Sequence, residues 1–94
     1  MPPRAFLSKP AAAKLAELPA AEHAAVLARL QELPRKFGQP HLHAGLGIRR
    51  LRPGLFEFRA SRDLRGLFLW GNGAIRIERI GDHETIQAYL RNLR

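Results

Sequence analysis

The chain contains no cysteine, and that absence removes a class of chemistry at once. There can be no disulfide framework, no thiolate metal site and no cysteine nucleophile. It agrees with a reducing cytoplasm, where the protein is expected to work. Long apolar runs are also missing. A bilayer span takes about 20 such residues, and the opening "MPPRAFLSKPAAAKLAELP" lacks the unbroken apolar segment of a secretory signal. No membrane partner is expected. Carboxylates are scarce, with eight Asp+Glu against sixteen Lys+Arg for a formal net charge of +8. Lysine is scarcer still, since thirteen of the sixteen basic residues are arginine. A basic excess favours polyanionic partners, and the planar arginine fork suits phosphate and carboxylate. A composition-wide preference for arginine would look the same, so the bias alone names no partner.

What is present fits one domain spanning residues 1–94, with enough apolar content for a single modest core. "RAFLS" (4–8) reads as a short strand or an extended lead-in. Ser8 can then cap a helix with Pro10 near its start, carrying Leu15 and Leu18 and stopping before Pro19. Pro19 opens a second helix, with Val26, Leu27, Leu30 and Leu33 on one face and Pro34 and Gly38 as its end. Four strand-like runs follow: "LGIRRLR" (46–52), "LFEFRA" (55–60), "LRGLFLW" (64–70) and "AIRIERI" (74–80). They are separated by Pro53-Gly54, Ser61–Asp63 and Gly71-Asn72-Gly73, all turn chemistry. "GDHETIQAYLRNLR" closes the chain as a helix capped by Asp82, with Ile86, Leu90 and Leu93 as its apolar stripe. The expected fold is α+β: an N-terminal αα-hairpin packed on a three- to four-stranded antiparallel sheet, with a C-terminal helix.

The turns also predict a register. A three-residue loop at Ser61–Asp63 pairs residues whose numbers sum to 124, so Arg59 faces Arg65 and Phe56 faces Phe68. Asn72-Gly73 as a two-residue turn gives a sum of 145, pairing Phe68 with Ile77, Trp70 with Ile75, and Arg65 with Ile80. Both turns put the aromatic residues on one face and Glu57, Arg59, Arg65 and Arg76 on the other. Two arginines opposite one another are unfavourable unless a carboxylate or an external anion offsets them. Past Gly81 the chain reaches His83 beside the same corner, so Arg59, Arg65 and His83 should converge.

Such a corner could cleave a phosphodiester without metal. RNA brings its own nucleophile in the ribose 2′-OH, arginines can clamp the phosphate, and a histidine can move a proton. A solvated ion-pair network would produce the same pattern. Arg49, Arg50, Arg52 and Arg76 are candidates for RNA contact, Arg50 and Arg52 sharing a face, with a solvated edge strand as the alternative for the first three. His41 and His43 in "PHLH" could rim an RNA groove or sit in a plain surface loop, and a metal site there is disfavoured without a partnering carboxylate or thiolate. Tyr89 could stack on a base or sit at the margin of the helix core.

The order of a two-helix hairpin, then "GLGIRRLRPGLFEFRASRDLRGLF", then "IERIGDHETIQAYL" resembles the RelE/ParE superfamily of toxins from bacterial toxin–antitoxin systems. The resemblance runs from about residue 5 to 92 and is nearest to the ribosome-dependent RNase branch. It implies an endoribonuclease that cuts mRNA in the ribosomal A site and is held by a cognate antitoxin, with no small-molecule cofactor or metal. On that likeness Arg59 and Arg65 match strand arginines that hold the scissile phosphate. His83 falls where some members keep a general-acid histidine, and Tyr89 matches a substrate-orienting tyrosine. The usual lysines ahead of the hairpin are here Arg49, Arg50 and Arg52, which are poor bases. Glu57 and His43 are then the candidates for general base. The superfamily also contains gyrase inhibitors that cut nothing, and a non-catalytic RNA- or ribosome-binding module is a third possibility.

Overall fold

The computed structural model describes residues 3–93, with the side chains of Pro40, His41 and Ala44 outside that description. The chain begins with strand β1 (Arg4–Leu7) and passes through Ser8 into helix α1 (Lys9–Glu17). Ser8 is extended, and its Oγ accepts from the Ala11 N–H at 3.2 Å while donating to the Glu78 carbonyl at 2.7 Å. One hydroxyl thus caps the helix and ties it to the sheet.

Helix α2 (Ala20–Lys36) corrects the sequence expectation, because it runs through Pro34 instead of ending there. Proline has no N–H, so the Leu30 carbonyl loses its helical donor. The cost is confined to the last turn, where the Phe37 N–H closes onto the Leu33 carbonyl at 2.9 Å. The extra turn places Phe37 among aromatic rings, with centroids 5.0 Å from Phe56 and 5.3 Å from both Phe68 and Trp70. Packing of that kind offsets one lost hydrogen bond.

A further helix, α3 (Pro40–Leu46), stands where a loop and the start of a strand were expected. Gly47 ends it at φ +64, with the Ile48 N–H bonded to the His43 carbonyl at 3.2 Å. This is the left-handed glycine stop that lets a short helix close its own carbonyls. Arg29 of α2 donates to the Gly45 carbonyl at 2.8 Å, and Leu46 is buried in the core. Strand β2 is therefore shorter than expected, Arg49–Arg52.

Strands β3 (Leu55–Arg59), β4 (Arg65–Gly71) and β5 (Ala74–Gly81) complete a five-stranded sheet of order β1-β5-β4-β3-β2. The sheet is mixed, not purely antiparallel, because β1 lies parallel to β5. Of the two readings of residues 4–8, the short strand is the one present; four residues are too few to announce its parallel partner. In the β3–β4 hairpin Arg59 pairs with Arg65, Glu57 with Leu67 and Phe56 with Phe68, as expected. Asn72 (φ 53) and Gly73 (φ 73) form the turn between β4 and β5, both left-handed as a two-residue hairpin requires.

Beyond that turn the expected pairing holds for Trp70–Ile75 and Phe68–Ile77 and then slips. A bulge at Glu78 makes Arg65 pair with Gly81 and Gly66 with Ile80, correcting the expected Arg65–Ile80 pair. Its physical reason is burial. The extra residue turns Ile80 into the core, at 4% exposure, and aims Arg79 at the opposite face, where its guanidinium lies 4.5 Å from the Tyr89 ring centroid.

Helix α4 (His83–Arg91) closes the fold. The sheet is covered on both faces. Ala11, Leu15, Val26, Leu33 and Leu46 pack with Phe58, Phe68, Ile75, Ile77 and Ile80 on one side. On the other, Ile86 of α4 packs with Leu55 and Leu67, joined by Leu51, Tyr89, Leu90 and Leu93. The second, smaller core occupies part of the face that carries the arginines and leaves one end of it open. Among the described residues, no helix is long and apolar enough to cross a membrane.

Candidate active site

At that open end a hollow of about 340 Å³ is lined by Gly47, Arg49, Glu57, Arg59, Arg65 and His83. The hairpin supplies its centre. Arg59 is the last residue of β3 and Arg65 the first of β4, directly opposite one another. Glu57 lies two residues before Arg59 on the same face, and Arg49 pairs with it across β2 and β3. His83 arrives from the far side as the first residue of α4.

Local chemistry fixes that arrival. The Asp82 Oδ1 accepts from the Thr85 N–H at 2.7 Å, capping α4 and setting its direction. The Thr85 backbone N–H, helped by its side chain, holds the Asp82 carboxyl below the usual aspartate range. Gly81 stands across from Arg65, and a Cβ there would come within 2.8 Å of the Thr85 methyl. On the β2 side Gly47 brings the chain over β3, where a Cβ would stand 3.2 Å from that of Arg59.

The charges in the hollow are unequally satisfied. Glu57 is 4% exposed and its Oε1 accepts from Arg49 Nη2 at 3.1 Å. Among the described residues, neither Arg59 nor Arg65 makes an ion pair. Two guanidiniums thus face each other across a strand pair with no carboxylate of their own. Like charges in that position are destabilising, and an anion placed between them would reverse the sign. The hollow can therefore take a dianionic or monoanionic oxygen cluster, with an imidazole and a carboxylate at its edges.

The other sequence candidates lie elsewhere. Arg50 and Arg52 are exposed on β2, but a register shift sets Arg50 against Phe56 and Arg52 against Leu55. Those partners belong to opposite faces of the sheet, so the two arginines do not share one, which corrects the expectation. His43 is not brought to the hollow. Its ring stacks on Phe37 (5.8 Å, 3° between planes) and its Nε2 accepts from the Gly38 N–H at 3.0 Å. His41 falls in α3, with its side chain outside the described residues. Arg76 is at the opposite end of the strands, bonded through Nε to Glu78 Oε2 at 2.7 Å. Tyr89 is half-buried against the smaller core and does not line the hollow. Sequence reasoning missed Gly47 and the helix it ends. The signal was the run Leu46-Gly47-Ile48, which reads as a helix stop once α3 is allowed.

No protein-family model and no curated protein sequence matches the chain. Its fold does match solved structures. One is the toxin–antitoxin complex RelBE2 of Mycobacterium tuberculosis, at 22% identity and a TM-score of 0.68, covering 88% of this chain and 100% of that one. Another is the archaeal RelE–RelB complex of Pyrococcus horikoshii, at 20% identity and a TM-score of 0.70, covering 87% and 96%. A third is a variant of the E. coli toxin RelE in the free state, at 16% identity and a TM-score of 0.69, covering 99% and 100%.

Proposed function

We propose that this chain, which has the RelE-type toxin fold, is the toxin of a toxin–antitoxin pair and an endoribonuclease that cuts mRNA on the ribosome. The carrying observation is the pair Arg59–Arg65, opposed across the hairpin without an internal carboxylate and flanked by His83 and Glu57. The neighbours in fold include toxins solved with their antitoxins, which supports a cognate antitoxin as partner of this cationic surface in the cytoplasm.

The chemistry follows from the placement. Arg59 and Arg65 hold the non-bridging oxygens of the scissile phosphate and offset the charge that grows on them as phosphorus becomes five-coordinate. Glu57, among the described residues the one carboxylate lining the hollow, takes the proton of the 2′-OH. The 2′-oxygen forms its bond to phosphorus, and the bond from phosphorus to the 5′-oxygen breaks. His83 as imidazolium gives its proton to that departing oxygen. The products are a 2′,3′-cyclic phosphate and a free 5′-OH, with no metal called on to carry charge. Arg49 keeps Glu57 placed through their 3.1 Å ion pair.

The test is message integrity in a bacterial cell-free translation reaction, mapped by primer extension with and without ribosomes. Cuts should require ribosomes. Arg65→Ala should slow them by about 10²–10³-fold, the scale of one lost transition-state donor. His83→Ala should slow them by about 10²–10⁴-fold, the scale of general acid catalysis. Message left intact by the natural protein overturns the nuclease reading and moves the question to DNA gyrase supercoiling.

A further inference from the structure

The solvent side of α4 carries a second depression, of about 630 Å³, lined by His83, Glu84, Thr85, Gln87, Ala88 and Arg91. His83 borders both this depression and the arginine hollow. His83, Gln87 and Arg91 recur at every fourth residue, so they form one line along the helix, about 12 Å long at 1.5 Å per residue. The opposite stripe of α4 is occupied by packing, with Ile86 buried and Tyr89 and Leu90 against the smaller core. The outer line is polar throughout and opens directly onto the candidate active site.

We propose that this depression binds the nucleotide on the 3′ side of the cut, with Arg91 on its 3′-phosphate and Gln87 and Glu84 reading its base. The inference rests on the nuclease reading above. Its direction comes from the proton transfer: His83 serves the 5′-oxygen that leaves, and that oxygen belongs to the nucleotide 3′ of the scissile phosphate. The strand beyond His83 therefore continues along α4. Arg91 is exposed and, among the described residues, makes no ion pair. The nearby Ala88 carbonyl is already served by the Asn92 amide at 3.0 Å, so Arg91 is not spent on the helix end. Glu84 repels a phosphate but accepts from an exocyclic amine, and the Gln87 amide both donates and accepts. Adenine, guanine and cytosine present an exocyclic amine on the edge that an unstacked base exposes, and uracil does not. The subsite should select against uracil.

The experiment uses the full chain in ribosome-programmed cell-free translation, on messages randomised at the nucleotide 3′ of the cut, with cut ends sequenced. The natural protein should favour adenine, guanine and cytosine over uracil by about tenfold, the lower end of discrimination by one paired contact. Gln87→Ala and Glu84→Gln should flatten that preference while cutting continues. Arg91→Ala should lower kcat/KM about tenfold and keep the base pattern, as a phosphate contact does. Arg35→Ala, which removes the same charge from the end of α2, should change neither. Thermal melting matched to the natural protein shows that each variant is folded. Cutting with rate and base pattern unchanged in all three α4 variants overturns the subsite and leaves the nuclease reading standing.

If the natural protein does not cut, that reading falls by itself, and binding then decides the subsite. A fluorescein-labelled RNA hexamer, 2′-O-methylated throughout, is titrated against salt. Loss of about 0.7 from the log–log salt slope in Arg91→Ala supports a phosphate contact there; an unchanged slope overturns it.

Discussion

Gly66 lies under the ring of Phe58, its partner across the hairpin, and a Cβ at that position would overlap the ring carbons. Phe58 is fully buried, so the ring has nowhere to go. Gly66→Ala should destabilise the protein by about 1–3 kcal/mol, the usual cost of overpacking a closed core, read as a lower urea midpoint. Gly71 in the same strand has open space around its missing Cβ, and Gly71→Ala should leave the midpoint nearly unmoved. Asp82 gives a pH signature. Its carboxyl is held below the ordinary value of 3.8 by the Thr85 N–H. A depressed carboxylate contributes stability above its unfolded pKa and loses it as pH falls through the folded one. Asp82→Ala should therefore lower the melting temperature at neutral pH, and the gap to the natural protein should close below pH 3.8. A gap that persists unchanged in acid would mean that the charge of Asp82 has no part in the cap.

At the scale of elements, α4 does two jobs, filling the smaller core with Ile86 and delivering His83 to the hollow. Ile86→Ala should cost about 2–4 kcal/mol and lower message cleavage together with stability. His83→Ala should lower cleavage alone, and comparing the two by melting and primer extension separates position from chemistry. The hairpin that builds the site was legible because three signals coincide there: alternation, a loop of defined length, and a second turn agreeing on the buried face. Its facing arginines follow from the order of residues alone. Helix α3, the parallel pairing of β1 and the bulge at Glu78 were not legible, for one shared reason. Each is set by tertiary contact over a stretch too short to show a period: Leu46 in the core, β1 beside β5, Ile80 against the helices. The same limit hid Gly47 and parted Arg50 from Arg52, since a register slip at Leu51 leaves no mark in the order of residues.

The whole molecule measures 32 × 31 × 23 Å and carries a formal charge of +8. At 0.01 M salt the screening length is about 30 Å, so every cation feels every other; at 0.15 M it is about 8 Å. Self-repulsion of that kind weakens the compact state. The free protein should melt at a higher temperature in 0.15 M than in 0.01 M sodium chloride, and Arg59→Ala should reduce the difference by removing one of two facing charges. A melting temperature that falls with added salt would show that attractive pairs, not repulsion, dominate the surface.

The bulge at Glu78 also bears on how such a chain can change length. A strand has parity: odd and even residues belong to different sides, and each insertion or deletion exchanges them. The stretch from Gly73 to Asp82 has its parity reset once, at Glu78, and everything C-terminal to it is aimed by that reset. Losing Glu78 itself would remove the bulge and leave Arg79 and Ile80 facing as they do, since Ile77, Arg79 and Ile80 already oppose Phe68, Leu67 and Gly66 in turn. Removing a second residue would leave no bulge to absorb the change and would reverse the facing of everything C-terminal to it. A β5 one residue shorter at Glu78 should therefore keep a working site, and one shorter by two should lose it.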